Sequence, residues 1–144
     1  VAQRITLVYL LLLALAASNA QAGHFDGKGA LLCSVYRLYE CDPPNGCVPV
    51  APAEIRGVSH LDIDFAKKEI TRAGLESRQK SAIQSVQTGI DGKIVLQGIE
   101  DGEPGERDGA GWSISIMDPE GTMVLSTAAD GFAVVGLGAC VPKP

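Results

Sequence analysis

Apolar and polar positions alternate with a period of two in short runs along most of this chain, and turn formers separate the runs. Leu61, Ile63 and Phe65 alternate with Asp62 and Asp64, and Trp112, Ile114 and Ile116 alternate with Ser113 and Ser115. Successive side chains on a strand point to opposite faces, so each run presents one apolar face to a core. No segment beyond residue 22 carries a helical period. Strands are predicted over 31–40, 58–65, 69–73, 83–88, 93–99, 112–117, 122–127 and 132–140. Asp91-Gly92, Asp118-Pro119-Glu120-Gly121 and Asp130-Gly131 make tight turns between neighbours. Seven or eight strands in sequential hairpins predict an all-β fold, a small antiparallel meander. It closes as a barrel or, alternatively, packs as a two-sheet sandwich. Asp42 to Pro52 holds four prolines and reads as an irregular loop. Residues 74–80 read as a loop or a single helical turn. Gly136 and Gly138 mark a bulge or a close backbone approach in the last strand.

The first 22 residues follow a different rule. Arg4 precedes an apolar run from Ile5 to Ala16, and Ala20-Gln21-Ala22 ends the segment with small residues at alternate positions. That is the layout of a secretory signal peptide, 1–22, cleaved before Gly23. A run of twelve residues is short of the roughly 20 that span a bilayer. No cysteine follows the cleavage site, which disfavours a lipid anchor. The chain is therefore expected to be periplasmic or secreted and not membrane-anchored after processing. A flexible leader over 23–30, a single β domain over 31–141 and a tail over 142–144 complete the expected layout. The remaining 122 residues suit one domain.

Export changes the reading of the cysteines. Cys33, Cys41, Cys47 and Cys140 are an even set in a chain expected to meet oxidant, and so read as two disulfides. Cys33 and Cys41 share one predicted strand and would lie ~26 Å apart, beyond the ~7 Å a disulfide permits. The turn-forming run DPPNG between Cys41 and Cys47 favours a local bond there, leaving Cys33 for Cys140. Cys33–Cys47 with Cys41–Cys140 is the other pairing left open. No C-x-x-C pair supports a zinc site.

Charge and candidate chemistry narrow the function further. Loss of Arg4 moves the formal charge from −5 to −6, which argues against nucleic acid and anionic membrane surfaces. Asp62 and Asp64 share a strand face about 7 Å apart, a separation seen in glycosidase carboxylate pairs. Beside Lys67 and Lys68 they read as a solvated face. The acidic run from Glu100 to Asp108 could gather oxygens around calcium, but matches no EF-hand spacing and reads as a charged loop. His60 and His24 stand without a partnered nucleophile, and no G-x-S-x-G or H-E-x-x-H pattern occurs. No catalytic, cofactor-binding or metal-ligating residue is assigned, and no cofactor is expected.

The phrases CSVYRLYECDPPNGC, HLDIDFAKKEIT, IVLQGIEDG, GWSISIMDPEGTMVLS and FAVVGLGAC, together spanning roughly 31–141, resemble a family of small exported proteins from alphaproteobacteria. The resemblance implies a periplasmic or secreted setting. The family has no assigned activity, so no catalytic residue carries over. In size, export and disulfide use the chain is also similar to the small β-barrel inhibitors of C-type lysozyme, without their inhibitory loop. The expected function is a non-enzymatic β-domain that binds a small molecule or a protein. The alternative is an inhibitor of a cell-wall-degrading enzyme such as lysozyme.

Overall fold

A computed structural model describes residues 25–55, 58–72, 80–89, 91–100, 102 and 109–143. The proposed signal segment and His24 lie outside the described residues. The strands are β1 (Ala30–Asp42), β2 (Gly46–Val50), β3 (His60–Asp64), β4 (Glu69–Arg72), β5 (Lys80–Ala82), β6 (Ser85–Thr88), β7 (Ile94–Glu100), β8 (Ala110–Ile116), β9 (Thr122–Ala129) and β10 (Phe132–Pro142). They form one antiparallel sheet in the order β5-β4-β3-β1-β10-β9-β8-β7-β6, with β2 paired to β1 beside that path.

The two ends of this order, β5 and β6, are separated in sequence only by Ile83 and Gln84. The Ile83 N–H donates to the Lys68 carbonyl at 2.8 Å and the Gln84 N–H to the Gln97 carbonyl at 2.9 Å. One bent strand thus reaches both edges, and the sheet curls into the barrel-like meander that the hairpin pattern predicts. Curling brings the inward faces together. Ile63, Ile94, Leu96, Ile114 and Ile116 are all at most 1% exposed, from strands β3, β7 and β8. Trp112 lies on the same side as Ile114 and Ile116, as the alternation requires.

The first and last strands pair directly, with Cys33 opposite Cys140. The bond joining them closes a sequence separation of 107 residues. Cys41 faces Cys47 across the β1–β2 hairpin and bonds to it. Both pairings agree with the turn-based choice. In each case the register alone brings the Cα atoms within 4.0 Å, close to the separation of a non-hydrogen-bonded antiparallel pair, about 4.5 Å. Two disulfides fit an oxidising location outside the cytoplasm. Among the described residues no helix is long and apolar enough to cross a membrane.

Three local expectations differ. The proline-rich stretch is not wholly irregular, because Gly46–Val50 pairs with Leu38–Asp42. Pro49 is accommodated because β2 pairs on one side only, so its missing donor breaks no second ladder. The leader is anchored at Phe25, which is 6% exposed and belongs to the core. Its N–H donates to the Asp118 carboxylate at 3.4 Å. The physical reason is that a curled sheet leaves an open end that needs an apolar plug. The tail is also tied down: β10 runs to Pro142, and the Lys143 N–H donates to the Ala30 carbonyl at 2.8 Å.

The last-strand glycines mark both features at once. The β1–β10 register shifts between Val35 and Arg37, opposite Gly138 and Leu137. A Cβ on Gly138 would lie 2.4 Å from the Ser34 carbonyl oxygen and 2.5 Å from Met123 Cε. The bare backbone lets β1 approach closely where it bulges.

Candidate ligand cavity

Strand directions place Asp42, Arg72, Glu100, Ala110, Ala129 and Phe132 at one end of the barrel and Phe25 at the other. The Phe25 end is plugged. The other end holds a cavity of about 240 Å³. Leu61, Ile70, Ile114, Leu125 and Val134 contribute its apolar walls, and Phe132 stands at the start of β10 beside them. Ile55 and Val58, from the connection between β2 and β3, pack against the core and line the same space.

Trp112 forms part of the cavity wall and is 9% exposed. Its position depends on the residue opposite, Gly98 of β7. A Cβ there would come within 2.3 Å of the indole Cζ2 and 2.4 Å of the Ala82 carbonyl oxygen. Glycine at 98 therefore leaves the room in which the ring lies. The indole N–H donates to Ser81 Oγ at 2.7 Å, which satisfies the one polar atom of a buried tryptophan. The bent β5–β6 strand supplies that hydroxyl.

The polar part of the rim is an ion pair. Arg72 ends β4, Glu100 ends β7, and the guanidinium donates to the Glu100 carboxylate. Their side chains are 23% and 27% exposed. Burial pushes the Arg72 guanidinium below its ordinary pKa, yet a guanidinium is so strong a base that it stays cationic. Thr127 of β9 adds a hydroxyl to the lining. The rim offers donors and an acceptor above an apolar interior.

The candidates singled out from the sequence lie elsewhere. Asp62 and Asp64 sit on β3 pointing away from Leu61 and Ile63, which are buried. Lys143 Nζ donates to Asp62 at 2.5 Å and Lys67 Nζ to Asp64 at 2.6 Å. That side-chain hydrogen bond from Lys67, with a second from its backbone N–H, holds the Asp64 carboxyl below its usual pKa. Each of the two carboxylates is thus held by a lysine. His60 is exposed at the edge of the same strand. Of the acidic run, Glu100 and Gly102 are described, and residues 101 and 103–108 lie outside the described residues. Among the described residues no three His, Cys, Asp or Glu side chains converge as metal ligands. All four cysteines are in disulfides.

No protein-family model, no curated protein and no solved structure matches this chain.

Sequence reasoning placed Trp112 in the core but missed Arg72, Ser81 and Glu100 as its neighbours. Glu100 was grouped with the acidic run that follows it. The one local sign was Gly98, a glycine inside an otherwise apolar strand pattern, which signals a close approach.

Proposed function

We propose that the chain is an exported, non-enzymatic β-barrel that binds a small, largely apolar molecule in the cavity at the Trp112 end. The observation carrying this reading is that cavity, apolar-walled and edged by the Arg72–Glu100 ion pair at one barrel mouth. Small-molecule sites commonly occupy barrel mouths and combine apolar walls with a few placed polar groups. At about 240 Å³ the cavity lies just below the usual span of roughly 300–1,000 Å³, so the ligand is small. Export by cleavage after Ala22 belongs to the same reading, and intact-mass measurement of secreted protein tests it through an N-terminus at Gly23.

Trp112 is the sole tryptophan of the chain and lines the cavity, so ligand binding reports itself in intrinsic fluorescence. Titration with 1-heptanol should shift or quench that emission saturably, and native mass spectrometry of protein purified from an exporting host should show a bound apolar adduct. A linear, non-saturating response together with an adduct-free mass would refute the binding reading.

One observation favours the second reading, inhibition of a cell-wall-degrading enzyme. The exposed hairpin tip between Cys41 and Cys47 is stapled by their disulfide. It is further held by Asn45, whose N–H and side-chain amide donate to Asp42 at 2.7 and 2.9 Å. A stiff protruding loop loses little entropy on docking into an enzyme cleft. Slowing of lysozyme on bacterial cell walls, abolished by reduction of the hairpin, would support this alternative. Unchanged lysis would eliminate it.

A further inference from the structure

The outer face of β7, β8, β9 and β10 carries no charged side chain at any outward position, although 20% of the chain is charged. We propose that this face joins two copies of the chain in a symmetric, face-to-face dimer. The proposal is independent of the cavity, which lies inside the barrel.

Register sets the outward residues in rows across the strands. Ile99, Gly111, Ala128 and Ala133 make the first row. Gln97, Ser113, Ser126 and Val135 make the second. Val95, Ser115, Val124 and Leu137 make the third. The small residues of the first row, with the second beside them, line a shallow groove of about 480 Å³. The third row is a ridge, with Val124 47% exposed on it. Between groove and ridge, the Ser113 and Ser126 hydroxyls are hydrogen-bonded to each other at 3.1 Å. Charge returns at the borders, with Arg37 on β1 opposite Leu137, Asp118 and Glu120 in the turn before β9, and Asp130 in the turn before β10. A charge-depleted centre inside a charged border is the composition of a protein interface.

A second copy fits this face because groove and ridge lie side by side on it. The first and third rows are ~13 Å apart along the strands. A two-fold axis lying in the plane of the face, along the second row, sets the ridge of each copy over the groove of the other. Such a contact is isologous, the usual arrangement of a homodimer, and its two sheets stack as aligned sheets do. An uncharged face also meets its own copy without like-charge repulsion, which matters in a chain of net charge −5. The four strands hold 7 to 11 residues each, and at ~4.8 Å between strands and ~3.3 Å per residue they cover ~500 Å². Two copies then bury ~1,000 Å², which is enough for a specific contact and small enough for a weak, concentration-dependent one.

Sedimentation velocity of protein purified from an exporting host, run over a dilution series, tests the proposal. The unmodified chain should show a monomer–dimer equilibrium in the micromolar range. Val124→Lys puts a charge on the ridge, and Ser126→Lys puts one beside the two-fold axis, where it meets its counterpart from the other copy. Each should weaken the dimer about tenfold or more. Val48→Lys is the control, because Val48 on β2 is 43% exposed and lies off this face, so it should leave the equilibrium unchanged. Thermal melts show which variants are folded, and either lysine variant on the face suffices. A chain that stays monomeric at millimolar concentration would overturn the proposal, as would one found in complex with a different protein only. A dimer that persists unweakened in a folded Val124→Lys or Ser126→Lys variant would place the contact elsewhere and overturn it equally.

Discussion

Replacing Gly98 with alanine should move Trp112 out of its place. The added Cβ would stand 2.3 Å from the indole Cζ2 and 2.4 Å from the Ala82 carbonyl oxygen. One of those neighbours is backbone, so a rotamer change of the ring alone does not relieve the clash. Both β5 and Trp112 must give way, and the indole N–H loses its 2.7 Å bond to Ser81. Overpacking of this kind costs about 1–3 kcal/mol, and a stranded buried donor costs about 1–3 kcal/mol more. The lower backbone entropy of an unfolded chain with alanine in place of glycine offsets about 0.4–1 kcal/mol. The net loss is about 1–5 kcal/mol, or roughly 4–20 °C in melting temperature at about 4 °C per kcal/mol for a domain of this size. Urea and thermal unfolding, followed by Trp112 emission, measure both the loss and the red shift that accompanies exposure of the ring. Gly111→Ala is the internal control. It is adjacent to Trp112 in sequence, yet a Cβ there meets nothing within 4 Å, so it should be neutral or slightly stabilising. Equal stability of the two variants, with unshifted emission in Gly98→Ala, would refute the account of how the cavity wall is built.

The disulfides should differ in their contribution to stability. Cys33–Cys140 spans 107 residues and Cys41–Cys47 spans 6, and the chain-entropy model assigns nearly 5 kcal/mol to the long loop and about half that to the short one. The double serine variant at Cys33 and Cys140 should melt well below the one at Cys41 and Cys47, and the reverse order would count against barrel closure as a source of stability. Phe25→Ala should destabilise by about 3–5 kcal/mol, because Phe25 is buried in the core. A melting curve matching the unmodified protein would return that residue to a loose leader. Asp64 has a pKa lowered by its bonds from Lys67, so its contribution is present above the ordinary carboxylate value near about 4. That contribution is lost as pH falls through the lowered one. Asp64→Asn should therefore be less stable than the unmodified chain at neutral pH, and the two urea curves should converge in acid. A constant gap down to the lowest pH would exclude the linkage.

Alternation alone was enough to place Leu61, Ile63, Trp112, Ile114 and Ile116 on inward faces, because a strand has only two faces and one of them must leave water. The cysteine pairing was equally local in origin. Cys33 and Cys41 lie too far apart along one strand to bond, and a turn between Cys41 and Cys47 brings that pair together. What remained out of reach depended on strands meeting far apart in sequence. Nothing local in the sequence marks Arg72 and Glu100 as partners, and only curling of the sheet sets them across one rim. Ser81 becomes the partner of Trp112 because the bent strand around Ile83 and Gln84 carries it to the cavity wall. Phe25 lies in a short stretch of glycines and polar residues and has no alternation to announce it, so its burial was decided by the open end of the barrel that it fills. Periodicity reports which side of an element is apolar. Which elements share a cavity is set by register and curvature, and those exist only in the folded sheet.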